Sequence, residues 1–178
     1  MTNPELFLKM KKLFLDLRGL TPGQELALLN DRYVEEESVA FRYEIQITKA
    51  KLLFSQGNQD EAVRLLEECS RLPCTSGSAA YFAGEMLVQL DRCNEAVGFL
   101  ELAERQMEAA KSDYYRDCTR LLHAHCAAVA GNDEEAQRLL ELISDQELVI
   151  FWLAGADAIS ASTVANLMTQ RQALRQGP

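Results

Sequence analysis

The chain has 178 residues, of which 48% are hydrophobic and 25% are charged, the composition of an ordinary soluble globular protein. A chain of this length buries a core without help from disulfides. Its formal net charge of −9 argues against a general nucleic-acid binder, because phosphate contacts need clustered lysine and arginine. The charge is uneven, with four bases against two acids in residues 1–20 and six acids against one base in residues 131–150.

Cysteine usage and hydropathy indicate a cytoplasmic protein. The five cysteines are an odd number without a CxxC pair, which is typical of free thiols in a reducing compartment. The apolar residues 6–8 are followed at once by Lys9 and Lys11, so we expect no signal peptide. The longest apolar run, residues 148–156, is far shorter than the roughly 20 residues of a membrane span.

Two helices are predicted before residue 42. Asn3 as a cap, Pro4 at the first helical position and Gly19 after the last turn delimit the first helix. It carries an apolar face at helical spacing, made of Leu6, Phe7, Met10, Leu13, Phe14 and Leu17. Residues 21–24 form a capping box that starts a second helix, which we expect to break near Asn30. A long helix then extends to about Ser55.

From that helix onward the pattern is helix, turn, helix, three times over. Three Glu-Ala dipeptides, with alanines at Ala62, Ala96 and Ala136, each follow a turn and precede an amphipathic run. The spacings between these alanines are 34 and 40 residues. A regular period in this range is the signature of a helical repeat array. All-helical structure is therefore predicted.

The segment after the third hairpin is predicted to be helical too. Residues 144–147 form another capping box, followed by residues 148–153, which are apolar on every side. A core or capping role is favoured for this segment over an exposed docking face. Residues 155–157 interrupt it, and Ser160 or Ser162 can cap a final polar helix that ends near Arg175.

Residues 43–144 resemble the tetratricopeptide repeat family. The resemblance rests on small and large apolar residues at the family's packing positions: Ala50, Leu53, Ala62, Leu66 and Cys69; Gly84, Leu87, Ala96, Leu100 and Ala103; Ala124, Ala127, Ala136, Leu140 and Ile143. It implies a right-handed array of about three helical hairpins. Residues 1–42 would then be N-terminal helices packed on the array, and residues 145–178 would be capping helices.

The chain departs from the family pattern at several positions. The aromatic expected at position four is replaced by Gln46, Ala80 and Arg120, and a closing proline occurs only as Pro73. The second spacing has six extra residues, which we place in a longer second helix of the middle hairpin, through Lys111. Such an extension adds roughly 9 Å of helix.

The sequence offers little to support catalysis or metal binding. It has no P-loop, GxGxxG, HExxH or GxSxG motif. The two histidines, His123 and His125, point to different faces of one helix, and with Cys118 and Cys126 they cannot converge on zinc without a ligand from elsewhere. We therefore predict no enzyme activity, no cofactor and no metal.

The resemblance implies that a peptide ligand lies along a concave groove formed by the first helix of each hairpin. Carried over onto this sequence, the peptide-binding positions are Ile47, Lys51, Phe54, Tyr81, Glu85, Val88, Leu121 and His125. Lys51 is the one cation at the places where a subclass of the family grips a C-terminal carboxylate, so that clamp is not expected. The groove favours an apolar or amphipathic segment of a protein partner.

Two classes of function follow from this interpretation. The first is a peptide-binding adaptor or chaperone; in size and acidity the chain is similar to the tetratricopeptide-type chaperones of bacterial type III secretion. The second is a structural or regulatory subunit packed constitutively in a larger complex, or a homodimer formed through residues 148–156 or the first helix. The groove could also be filled by the chain's own N-terminal helices, whose Phe7, Phe14 and Leu17 need burial.

Overall fold

The computed structural model describes residues 4–72, 76–153 and 158–176, and it is mostly helical, as predicted. Four features named above lie outside the described residues: the predicted cap Asn3, the closing Pro73, Cys74 and the interruption at residues 155–157. The helices and strands are α1 Pro4–Asp16, α2 Pro22–Glu35, α3 Val39–Ser55, α4 Gln59–Ser70, α5 Ser78–Gln89, α6 Cys93–Ala110, α7 Arg116–Ala130, α8 Asp133–Glu141, β1 Ile150–Trp152, β2 Ala158–Ser160 and α9 Ala161–Gln176. No helix of these described ranges is both long and apolar enough to span a bilayer.

The chain divides into two compact units. The N-terminal unit, Met1–Thr75, holds α1 to α4, and the C-terminal unit, Ser76–Pro178, holds α5 to α9 and both strands. The division places the first predicted hairpin, α3 with α4, together with the N-terminal helices. The other two hairpins, α5 with α6 and α7 with α8, belong to the second unit.

The N-terminal unit is built on α3. Helices α1 and α2 both pack on it, and Leu13 of α1 and Leu29 of α2 are buried with Phe41 and Ile45 of α3. The other face of α3 packs on α4. The N-terminal helices therefore have their own core against α3, which covers one stripe of α1 and leaves the rest of that helix outside.

Helix α2 continues to Glu35, five residues beyond the break predicted at Asn30. Its capping box is present as predicted, with the Thr21 backbone N–H donating to Gln24 Oε1 at 2.9 Å. The extension is explained by packing: Tyr33 lies against the core cluster, and the Arg42 guanidinium sits 4.3 Å from the centre of its ring. These tertiary contacts outweigh the weak helix preference of asparagine and aspartate.

An ion pair joins α1 to the turn before α3. Lys9 Nζ donates to Glu36 Oε1 at 2.9 Å, and the same carboxylate accepts the backbone N–H of Ser38, the N-cap of α3, at 2.8 Å. The hydrogen bond from Lys9 is the main cause that lowers the pKa of Glu36, and the bond to Glu36 raises the pKa of Lys9. One carboxylate thus helps to hold α1 and to begin α3.

We predict that Glu36→Gln lowers the midpoint of thermal unfolding at neutral pH. Because the folded-state pKa of Glu36 lies below its ordinary value, the stabilisation is complete above that ordinary value and is lost as pH falls through the folded value. Wild type and variant should therefore converge as the pH falls below the ordinary value for a glutamate carboxyl group. Circular-dichroism melts across this range measure the difference. Glu37→Gln, one residue further on, is the control and should cost less at pH 7; equal losses would contradict a specific Lys9–Glu36 pair.

The first hairpin of the C-terminal unit is closely packed. Helices α5 and α6 cross at Gly84, where an added Cβ would lie 2.7 Å from two side-chain carbons of Leu100. Ala96 and Ala103 of α6 are fully buried. Small residues at these positions let the helix axes approach closely, as the sequence pattern predicted.

Helix α6 has the predicted extra length. It ends at Ala110, and Lys111 follows as a left-handed C-cap with φ of 52°. Arg120 of α7 connects this helix to the end of α8, because it donates from Nε to Glu104 at 3.0 Å and from Nη1 to the Leu142 carbonyl at 2.6 Å. The second half of α6 thus carries part of the contact with the last hairpin.

The segment after α8 is a β-hairpin, so the prediction of a short helix over residues 148–153 is wrong. Strand β1 pairs antiparallel with β2, and Phe151 lies opposite Ile159. The Asp145 carboxylate accepts the backbone N–H groups of Glu147 and Leu148, which forms a local turn instead of a helix start. β-Branched and aromatic residues in β1 favour the extended backbone. Helix α9 follows as predicted.

Candidate functional site

In the N-terminal unit, the three predicted peptide-binding residues differ in their exposure to solvent. Ile47 is buried, Phe54 is half-buried and Lys51 is exposed. Glu44, one turn before Ile47, is also largely enclosed, and burial raises its pKa. Lys51 and Phe54 therefore keep surface for a partner, whereas Ile47 is a packing residue in this conformation.

In the C-terminal unit, three of the five predicted residues are buried. Tyr81 is 4% exposed and Leu121 is fully buried, and Val88 is buried as well. The Tyr81 ring stacks on Tyr115 with centroids 4.5 Å apart, and burial raises the pKa of its hydroxyl. A partner could not touch these side chains without opening the unit. Their role in peptide binding stays a prediction.

The chain's own C-terminal end covers part of α7. Helix α9 and strand β2 pack against α7, and the Arg171 guanidinium of α9 donates to the carbonyl of Ala128. Val164 and Met168 of α9 are buried. Filling of the groove by the N-terminal helices was an alternative that the sequence left open. Within the C-terminal unit, α9 and the hairpin cover part of α7.

The most prominent exposed apolar surface of the N-terminal unit is on α1. Its stripe at positions 6, 10, 13 and 17 faces the core, whereas Phe7 is 66% exposed and Phe14 is 53% exposed. The prediction that these two phenylalanines are buried is therefore wrong. Both lie one position after a core residue, about 100° further around the helix. We call the exposed side of α1, together with Arg18 in the turn just after it, the α1 outer face; its residues are Phe7, Leu8, Lys11, Lys12, Phe14, Leu15 and Arg18.

The acidic side chains of α1 form ion pairs, whereas three basic side chains of its outer face form none with another described residue. Glu5 contacts Lys9 at 3.8 Å, and Asp16 contacts Arg32 at 3.2 Å, so both acids are engaged beside the outer face. Among the described residues, none forms an ion pair with Lys11, Lys12 or Arg18. The α1 outer face thus combines four large apolar side chains with three positive charges that form no ion pair with another described residue.

The C-terminal unit has a second exposed apolar group, on the hairpin. Trp152 is 66% exposed, and Leu148 and Ile150 are exposed as well. Ile150 and Trp152 alternate with the half-buried Phe151, so they share the outer face of β1. The core role predicted for this segment is wrong for these three side chains, although Ile159 of the paired strand is buried.

A cluster of thiols and imidazole lies between α6 and α7, where the sequence reading expected no convergence. Cys93 is the first residue of α6, and the Cys126 thiol and the His125 ring lower the pKa of its thiol, although burial opposes the change. These residues belong to two helices that pack on each other.

One cleft of the C-terminal unit carries few reactive groups. It has a volume of about 580 Å³ and lies between α8, the hairpin and the start of α9. Gln137, Gln146, Ser160 and Ser162 give it amide and hydroxyl groups beside a single carboxylate, Glu147. In the part of the chain that the structure describes, no group of three or more His, Cys, Asp or Glu side chains is arranged to hold a metal ion.

Comparison of the chain with protein-family models, with curated proteins and with solved structures gave no match.

Proposed function

We propose that this chain is a protein-binding adaptor, made of helical hairpins of the tetratricopeptide type, that captures an amphipathic segment of a partner protein. The observation that carries the proposal is the α1 outer face, with Phe7, Leu8, Phe14 and Leu15 more than half exposed along one side of a helix. Single exposed apolar residues are ordinary on protein surfaces, but a contiguous group rimmed by charges marks an interaction site.

The apolar part of this surface can supply binding energy. Complete burial of a leucine or phenylalanine side chain is worth roughly 1.5–3 kcal/mol. Each of the four side chains still exposes more than half of its surface, so a partner that covers them gains about 1 kcal/mol from each. An amphipathic helix laid along α1 places its own apolar stripe against them, as helix-in-groove ligands do.

The charges determine the kind of partner. Lys11, Lys12 and Arg18 require carboxylates beside the apolar stripe of the ligand, because opposite charges at the rim of an interface speed association and exclude wrong partners. A symmetric contact between two copies of the α1 outer face would instead place these bases against their own equivalents. An anionic membrane would accept the bases, but its extended surface repels the whole net charge of −9, whereas a short acidic segment meets mainly the bases around it. An acidic amphipathic protein segment fits best.

The partner should be identified through the surface itself. A photo-crosslinking phenylalanine analogue at Leu15 in the full chain should link the partner in its native host, and the same analogue at Val34, exposed on α2, is the matched control. The linked segment is then synthesised and titrated against the chain. Support requires that this peptide be amphipathic, acidic and helical when bound; capture of some protein is not enough.

We predict that Phe7→Ser with Phe14→Ser, and separately Lys11→Glu with Lys12→Glu, each weaken binding of that peptide about tenfold or more. Neither pair should change the thermal midpoint much, because all four residues are exposed. Lys51→Glu, a charge reversal outside the α1 outer face, is the control and should leave the affinity unchanged. Loss of binding in Lys51→Glu alone would place the ligand in the groove predicted from sequence. Binding of anionic vesicles instead of the peptide, or self-association that the phenylalanine variants abolish, would overturn the proposed partner.

A further inference from the structure

We propose that the partner segment inserts one large apolar side chain into a cleft at the C-terminal end of α1 and pairs a neighbouring carboxylate with Arg18. This inference rests on the proposed function, because it names the anchor by which the same partner is held. The cleft has a volume of about 330 Å³ and lies within the N-terminal unit. Residues from the end of α1, the turn after it, α2 and α3 line it.

The walls of the cleft are apolar. Phe14, Leu17, Leu29 and Leu52 line it. Leu17 and Leu52 pack against the core of the unit and Leu29 is fully buried, so packing holds these walls in place. An apolar cavity of roughly 150 Å³ is enough to bind benzene. A cleft of about 330 Å³ therefore has room for the side chain of a phenylalanine or a leucine.

Two small residues, Thr48 and Gly19, leave this space open. The Thr48 hydroxyl donates to the Glu44 carbonyl at 2.9 Å, so its donor is used within α3. Gly19, with φ of 77°, turns the chain from α1 toward α2 and has no side chain to fill the cleft. An apolar side chain therefore enters without covering an unbonded hydroxyl donor.

The charged residues of the cleft select the group beside the anchor. Arg18 follows α1, Glu25 lies in the first turn of α2, and both line the cleft. Among the described residues, neither of them forms an ion pair. A carboxylate of the partner is attracted by Arg18, whereas Glu25 repels a second one. The partner's carboxylate must therefore lie on the Arg18 side, which orients the segment in the cleft.

The cleft is continuous with the α1 outer face, because Phe14 and Arg18 belong to both. Phe7 and Phe14 are seven positions apart, roughly 10 Å along α1. A partner helix of about three turns is therefore long enough to cover the outer face and to place one side chain in the cleft. A small free acid would use the cleft alone, so the shared residues favour an anchor of the longer segment.

The cleft can be tested before the partner is known. The probe is hydrocinnamate, a phenyl ring joined to a carboxylate, and phenylpropylamine is the matched probe of opposite charge. Each is titrated into the full chain with isotope-labelled leucine methyl groups. Hydrocinnamate should shift the methyl signals of Leu17, Leu29 and Leu52, with a dissociation constant on the order of millimolar for so small a ligand. The amine should bind about threefold or more weakly.

Three variants make the titration decisive. Arg18→Glu should reverse the preference between the two probes, and Thr48→Phe, which fills the cleft, should weaken both about tenfold. Lys12→Glu reverses a charge on the α1 outer face outside the cleft and should change neither. Circular dichroism checks that each variant is folded, and the exposed Arg18 keeps the test valid if Thr48→Phe is unstable. Folded wild-type protein without shifts at these leucines, or an equal effect of Lys12→Glu and Arg18→Glu, overturns the proposal.

The synthetic peptide from the cross-linked partner separates this inference from the proposed function. Replacement of its anchor side chain by alanine, and Thr48→Phe in the chain, should each weaken binding about tenfold or more. If Thr48→Phe and Arg18→Glu leave the peptide affinity unchanged while Phe7→Ser weakens it, the inference fails and the proposed function stands. If none of the three changes the affinity, both fail. Hydrocinnamate bound as tightly as the peptide would make the cleft a small-molecule site and overturn the anchor.

Discussion

Replacement of Leu121 by glutamate should unfold the C-terminal unit. Leu121 is fully buried on α7, a helix that packs against α5, α6, α8 and α9 of the same unit. A carboxyl group placed there must be buried without a partner of opposite charge or displace the helices that cover it. We expect a loss of about 4 kcal/mol or more, at the upper end of single-substitution effects. Circular-dichroism melts and urea titrations measure the loss.

Val129→Glu is the matched control for this experiment. Val129 lies on the same helix, two turns further on, and is exposed. Its substitution should change the stability by less than about 1 kcal/mol, the usual range for surface positions. If Leu121→Glu melts like Val129→Glu, Leu121 is accessible in solution. It would then be available to a ligand in the groove predicted from sequence.

Gly77→Ala should lower the free energy of unfolding nearly as much as Leu121→Glu. Gly77 is the N-cap of α5 with φ of +85°, a conformation that costs a residue with a Cβ roughly 1–2 kcal/mol. A Cβ there would also lie 2.7 Å from Met107 Cγ and 2.8 Å from the backbone carbonyl of Ala103. The backbone of a packed helix cannot shift without a loss of stability. We therefore expect the free energy of unfolding, measured by chemical denaturation, to fall by about 3 kcal/mol in total.

Gly98→Ala tests whether that loss comes from the site or from alanine itself. Gly98 lies within α6 with no atom within 4 Å of an added Cβ. Alanine is the better helix former by about 0.5–1 kcal/mol, so this variant should be slightly more stable than wild type. A Gly77→Ala protein as stable as Gly98→Ala would show that α5 does not approach α6 as closely as the structure has it.

Local signals in the sequence were sufficient for most helices. The capping box at Thr21 and Gln24, and Ser38 before α3, mark positions where backbone N–H groups need partners, and such chemistry is readable without a fold. The longer α6 was predicted from the wider spacing between Ala96 and Ala136. The ends of helices were harder to predict. Packing of Tyr33 extended α2 past Asn30 and Asp31, which have a weak preference for helix.

Strand β1 was missed for a different reason. Residues 148–153 are apolar on every side, and such a short run has no periodicity that separates strand from helix. Its partner β2 is six positions away, beyond the residues 154–157, and pairing across that gap decided the outcome. A capping-box sequence was present, but Asp145 used its carboxylate for a local turn.

The sequence did not predict which apolar side chains are buried and which are exposed. Periodicity shows which side of a helix is apolar, but not which apolar residues another element covers. Leu121 and Phe14 look equally apolar in the sequence, yet one is enclosed and the other exposed. The thiol cluster is the same kind of long-range fact, because nothing near Cys93 in the chain indicates Cys126.

Amide hydrogen exchange of the full chain, with and without the identified partner peptide, tests the proposed docking surface most directly. Binding along α1 should slow exchange in residues 4–18 and leave the first helices of the hairpins, α3, α5 and α7, unchanged, because bound helices open less often. Slower exchange in α3, α5 and α7 with residues 4–18 unaffected would contradict it and would place the partner in the groove instead.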